Sequence, residues 1–167
     1  MALALSLMIG FSAFAQDEQQ KIGHINADAL LQMMPETKEA QSKIEAYRDQ
    51  LEKDLTEMEQ ELQTKIKSFR ENEKMMTNLS RETKTKEIQE LQMRIQEYSS
   101  KAQEDLQNKQ VELLSPLFDK ATKAVEKVAS ENGFTYILDS SDSKAVVIFA
   151  GGGIDIMPLV KKEMGLE

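Results

Sequence analysis

From Glu36 to Ser115 the chain carries neither glycine nor proline, and its apolar residues recur at steps of three, four and seven. They run Ile44, Leu51, Leu55, Met58, Leu62, Ile66 and Phe69, then Ile88, Leu91, Ile95, Tyr98, Ala102, Leu106 and Leu113. Such steps place one narrow apolar stripe along a helix, the seam of a coiled coil. The residues between are mostly Glu, Lys and Gln, which are good helix formers. The heptad slips locally, because 58–62–66 and 98–102–106 are four-four steps.

A straight rod and a hairpin both satisfy that stripe. The stretch "FRENEKMMTNLSRETK", 69–84, separates them. Position 69 pairs with 88, 66 with 91, 62 with 95, 55 with 102, 51 with 106 and 44 with 113. These pairs keep one constant sum, as an antiparallel hairpin requires. The centre of this register is Asn78, and Thr77, Asn78 and Ser80 are turn and cap formers. The pattern therefore predicts a turn near 78 with arms of about 40 residues, roughly 60 Å each at 1.5 Å per residue.

Strand patterns occur only at the two ends. "KIGHINA", 21–27, reads as a strand, and "DALLQMM" as a short helical turn ended by Pro35. Pro116 is expected to re-aim the second arm. Leu117, Ala121, Val125 and Val128 then widen the apolar face as far as Asn132-Gly133, a helix stop. "FTYILD", 134–139, and "AVVIFA", 145–150, read as strands, the second covered on both faces. Gly151, Gly152 and Gly153 form a loop, Asp155 caps a last helix, and Gly165 ends it. The end strands can meet only if the hairpin returns. The expected fold class is α+β, mostly α. A long antiparallel helical hairpin over 36–116 stands on a small β body built from 16–35 and 117–167.

Composition fits that outline. Of 167 residues, 40% are apolar, only 5% aromatic and 30% charged, which suits long solvated helices on a small globular part. A net charge of −8 argues against nucleic acid as a main partner. There is no cysteine and one histidine, His24, so thiol chemistry and a multi-histidine metal site are excluded. The glycine run is not followed by Gly-Lys-Ser/Thr and is no phosphate loop. Asp139, Asp142 and Asp155 suit turns and caps. No enzyme constellation and no cofactor motif emerges. The first residues, "MALALSLMIGFSAFA", are apolar, too short to span a bilayer, and end in the A-x-A pattern Ala13-Phe14-Ala15. They read as a signal peptide, 1–15, although no Lys or Arg precedes the apolar run.

Charge and methionine mark the turn. Residues 49–63 carry one Lys against six acids. Residues 65–90 carry Lys65, Lys67, Arg70, Lys74, Arg81, Lys84 and Lys86 against five acids, a mildly basic tip on an acidic chain. Apolar groups at a hairpin tip are hard to bury, and methionine suits surfaces that accept varied partners. Phe69, Met75, Met76, Leu79 and Met93 are the candidate contact residues.

Three blocks carry a resemblance: "KIGHINADALLQMMPETKEAQ", "LLSPLFDKATKAVEKVASENGFTYILD" and "GIDIMPLVKKEMG". With them, over about residues 20–167, the chain resembles the Skp/OmpH family of periplasmic chaperones for outer-membrane proteins. The resemblance implies a homotrimer whose strands form a shared body. Ile22, Ile25, Ile137, Leu138, Val146, Val147 and Ile148 are the expected trimer-body residues. It also implies that three hairpins project as tentacles and hold unfolded outer-membrane proteins between them without ATP, in the periplasm. Familiar members are basic and this chain is acidic, so membrane-surface association and a lipopolysaccharide site are not carried over. The competing reading is a scaffolding coiled coil of the cell envelope.

Overall fold

The computed structural model describes residues 20–144 and 146–166. The expected signal peptide, 1–15, lies outside the described residues, as does Ala145 of the expected strand 145–150. The elements run β1 (Ile22–Ile25), α1 (Ala27–Met33), α2 (Pro35–Asn72), a 3₁₀ turn (Glu73–Met75), α3 (Asn78–Glu131), β2 (Tyr136–Asp139), β3 (Ile154–Asp155) and α4 (Met157–Met164). The fold is a mostly-α α+β fold.

β1 is the middle strand of a three-stranded sheet and pairs in parallel with both neighbours. Ile22 faces Tyr136, and Gly23 faces Ile154. A parallel pair needs a long crossover. Here α1, α2 and α3 supply it, and the chain leaves and returns through the whole hairpin. Thr135 N donates to Lys21 O at 2.8 Å and Ser140 N to Ile25 O at 2.8 Å, closing both ends of the β1–β2 ladder.

Local chemistry sets each boundary. Asn26 caps α1, its Oδ1 accepting from Ala29 N at 2.8 Å. Met34 is extended because Pro35 follows it, and Pro35 opens α2 as its first residue. Gly133, at φ +66°, leaves α3 in the left-handed region, and Gly165 does the same for α4. Lys21 Nζ donates to Asn132 O at 2.7 Å and sits 4.2 Å from the Phe134 ring centre, which ties β1 to the end of α3. Asp155 Oδ1 accepts from Met157 N at 2.8 Å at the start of α4.

The core lies at the root of the hairpin. Leu30, Met34, Ile156 and Val160 are fully buried there, joined by Ile25 and by Ala121, Ala124 and Val128 of α3. A polar latch closes one side. Asp139 Oδ1 accepts from Ser141 Oγ at 2.6 Å, Ser141 N at 2.9 Å and Ala27 N at 3.3 Å, while buried Ser141 Oγ accepts from Asp28 N at 3.1 Å. Burial pushes the Asp139 carboxyl up. The Ser141 and Ala27 hydrogen bonds and the Lys144 charge outweigh it and hold the group below its ordinary value.

Pro116 lies inside α3, which runs as one helix from Asn78 to Glu131 and does not end there. The proline removes one hydrogen bond and frees the Glu112 carbonyl. Both residues are exposed, so water can take the freed acceptor. One expectation is corrected: the run 145–150 is not a strand over its described residues, 146–150. Its β-branched residues fit a pleated surface only beside a partner. The edge of β1 it would need is taken by Ile154–Asp155. Val146 and Ile148 are exposed instead, and Val147 is half-buried near Leu138 and the glycine run.

Candidate binding surface: the helical hairpin and its tip

α2 has 38 residues and α3 has 54, so the first arm is roughly 57 Å long and α3 continues past it into the body. The arms pack in the expected register. Leu51 and Leu106, with Leu55 and Ala102, line one cleft of about 260 Å³ between them, and Leu62 lines another with Ile95. Tyr98 Oη donates to Asp54 Oδ2 at 3.0 Å across the seam. Burial, then this hydrogen bond, raises the Tyr98 phenol above its ordinary value.

A layer of two helices cannot enclose its own seam. Ile44, Leu51, Met58, Ile66, Phe69, Ile88, Ile95 and Leu106 are all half-buried, and Leu91 alone of the seam is fully enclosed. The arm therefore keeps apolar groups in reach of solvent along its length. The first of these clefts lies where small residues, Ser99 and Ala102, face leucines.

At the tip, the 3₁₀ turn Glu73–Met75 is followed by two extended residues, Met76 and Thr77. Thr77 Oγ1 accepts from Ser80 N at 3.2 Å and starts α3, so the turn falls just before Asn78. Met75 is 80% exposed and Leu79 75% exposed, with Met93 at 57% further down α3. Phe69 and Met76 are half-buried. The tip thus brings Met75, Met76 and Leu79 together at one end, while Phe69 belongs to the seam and Met93 lies on the outer flank of the second arm.

The seven basic residues do not act alike. Lys65 pairs with Glu61 at 3.4 Å, Lys84 with Glu87 at 2.8 Å and Lys86 with Glu90 at 3.8 Å. Glu87 is held below its ordinary value first by the Lys84 hydrogen bond, and Lys65 of the facing arm adds to this. Arg81 is half-buried and turned inward, its Nη2 donating to Glu73 O at 3.3 Å. A cation on the last carbonyls of a helix closes the turn. Among the described residues, Lys67, Arg70 and Lys74 make no ion pair; Lys67 and Arg70 lie three apart in the last turns of α2, and Lys74 lies in the 3₁₀ turn that follows.

Sequence reasoning missed two exposed apolar residues on α3, Val111 at 61% and Phe118 at 52%. They are seven apart, and that heptad spacing off the main seam was the available signal. Phe118 borders a cleft with Leu31, Val125 and Ile137 at the body. Of the expected trimer-body residues, Ile25 is in the core and Ile137 packs against it, whereas Ile22, Leu138, Val146 and Ile148 are exposed. No cluster among the described residues could hold a metal ion, and no helix among them is long and apolar enough to cross a membrane.

Comparison with known proteins places this architecture. Chaperone protein Skp of Yersinia enterocolitica is 26% identical over 164 residues, covering 96% of each chain. Chaperone protein Skp of Photorhabdus luminescens is 24% identical over 166 residues, covering 98% of this chain and 96% of its own. A family described as "Outer membrane protein (OmpH-like)" matches residues 21–164, from the first residue before β1 to the end of α4. On that span the chain belongs to the OmpH-like outer membrane protein family.

Proposed function

We propose that the chain is an ATP-independent holding chaperone that keeps unfolded outer-membrane proteins soluble in the periplasm. One observation carries the reading. A long hairpin leaves its seam half-covered and its tip apolar, with Met75 and Leu79 in solvent, in a chain whose relatives are named Skp chaperones. Exposed apolar groups of that size on a helix end want a partner. An unfolded β-barrel chain has alternating apolar residues and unpaired strand edges, and in water it pairs with its own kind.

Each contact to an arm is weak, because a partly buried Met or Leu contributes about 1 kcal/mol. Several contacts on linked arms raise the effective affinity without any strong site. In this reading 36–116 is the grasping arm, and 16–35 with 117–167 form the body. The body is shared by three copies. Support comes from a sheet with open edges and from Ile148 and Phe149, which are 96% and 88% exposed in a single copy. Trimerisation would cover these residues. The apolar leader 1–15 fits export.

A light-scattering assay tests the proposal. A urea-denatured outer-membrane barrel is diluted into buffer with the purified protein, whose mass is measured in parallel. The expected result is a soluble barrel at near-stoichiometric trimer, without nucleotide. Aggregation at the rate of the barrel alone would leave only a scaffolding role.

A further inference from the structure

With no cysteine and no tryptophan in the chain, methionine is its most readily oxidised side chain. The eight described methionines differ sharply in access. Met75 is 80% exposed, Met93 57% and Met33 47%, while Met34, the neighbour of Met33, is 0% exposed. The two most exposed methionines lie on the arm and its tip, the surface assigned above to client holding, and the fully buried Met34 lies in the folding core. The distribution leaves Met34 in the core out of reach while Met75 and Met93 on the arm stay open to chemical change.

From this we infer that Met75 and Met93 are oxidation sites through which a two-electron oxidant of the peroxide or hypohalous class weakens client holding while the fold stays intact. The inference rests on the holding reading. With hydrogen peroxide, the thioether sulfur attacks one peroxide oxygen and the O–O bond breaks. The sulfur gains that oxygen as a sulfoxide, and the other leaves as water. The product is polar and stiffer than the thioether. Met75 and Met93 then stop offering adaptable apolar surface, and Leu79 remains as the apolar group exposed at the tip. The core keeps its packing because Met34 is closed off, although Met33 on α1 is open to the same oxidant, and sulfoxide reductases can reverse the change.

The test uses the full chain, hydrogen peroxide and the denatured barrel. Peptide mass mapping follows each methionine, and circular dichroism follows the helices. Met75 and Met93 should be oxidised about tenfold faster than Met34, with helicity unchanged. The treated protein should need about three- to tenfold more for half protection, from the lost apolar contacts. A Met75→Leu/Met93→Leu variant, whatever its untreated capacity, should need the same amount for half protection before and after peroxide. A Met75→Gln/Met93→Gln variant should show the loss without oxidant. Untreated protein that fails to hold the barrel sinks the holding reading and this inference together. Protein that holds it equally before and after both sites are oxidised sinks the inference alone, as would a leucine variant that loses protection as much as the native chain.

Discussion

Leu91 is the one large seam residue of the arms that is fully enclosed, at 1% exposure, whereas Leu79 at the tip is 75% exposed. Truncating each to alanine removes the same atoms from opposite environments. For Leu91→Ala, three methylene equivalents at about 0.8 kcal/mol each give a transfer loss of about 2.4 kcal/mol. The cavity contribution is small, because a two-helix layer is open to collapse and to water. For Leu79→Ala the expected change is below about 0.5 kcal/mol. Whole-protein melting would blur these effects if assembly contributes to it. Hydrogen exchange reads the arm alone. At about 1.4 kcal/mol per tenfold, Leu91→Ala should speed exchange of amides in the middle of α2 and α3 by about 50-fold. Amides of β1 should be unchanged, and Leu79→Ala should alter exchange by no more than about twofold. Equal effects from both variants, or none from Leu91→Ala, would refute the claim that the arm is held by a paired seam.

Three further outcomes follow from named contacts. Asp139 has a depressed carboxyl in the folded state, so its contribution is present above the ordinary carboxylate value and is lost as pH falls through the folded value. Asp139→Asn should therefore destabilise the body by about 1–2 kcal/mol at pH 7 in urea titrations, and the gap to the native chain should shrink below about pH 4. Arg81→Ala removes the donor to Glu73 O, so limited trypsin digestion should cut faster after exposed Lys74, with cuts in the body unchanged. A Cβ at Gly23 would lie 2.8 Å from Ile137 Cδ1 and 3.0 Å from Phe134 Cε1. Gly23→Ala should cost about 1–3 kcal/mol in chemical denaturation at fixed protein concentration.

The hairpin was legible because two signals agreed. The glycine- and proline-free run 36–115 allowed only helix, and the strands at the chain ends could meet only if that helix returned. The caps were legible for the same local reason: Gly133, Gly165 and Asp155 act where their side chains, or lack of them, allow. Pro116 is carried inside α3, where exposed Glu112 leaves its freed carbonyl to water. The stretch 145–150 was misread because β-propensity describes a surface waiting for a partner. Which strand fills the edge of β1 is decided by tertiary reach, and the winner, Ile154–Asp155, is too short to show a period. At the tip, composition counted seven equal cations. The fold divides them into paired residues, a turn clamp at Arg81, and Lys67, Arg70 and Lys74, which make no ion pair among the described residues.

Site-specific cross-linking addresses client holding by the arms most directly. A photo-reactive residue is placed in turn at Met75, at Met93 and at the body position Ser143, and each variant is mixed with a denatured outer-membrane barrel. Strong adducts from 75 and 93, with little from 143, are the predicted result. Adducts mainly from 143, or equal yields at all three positions, would contradict it.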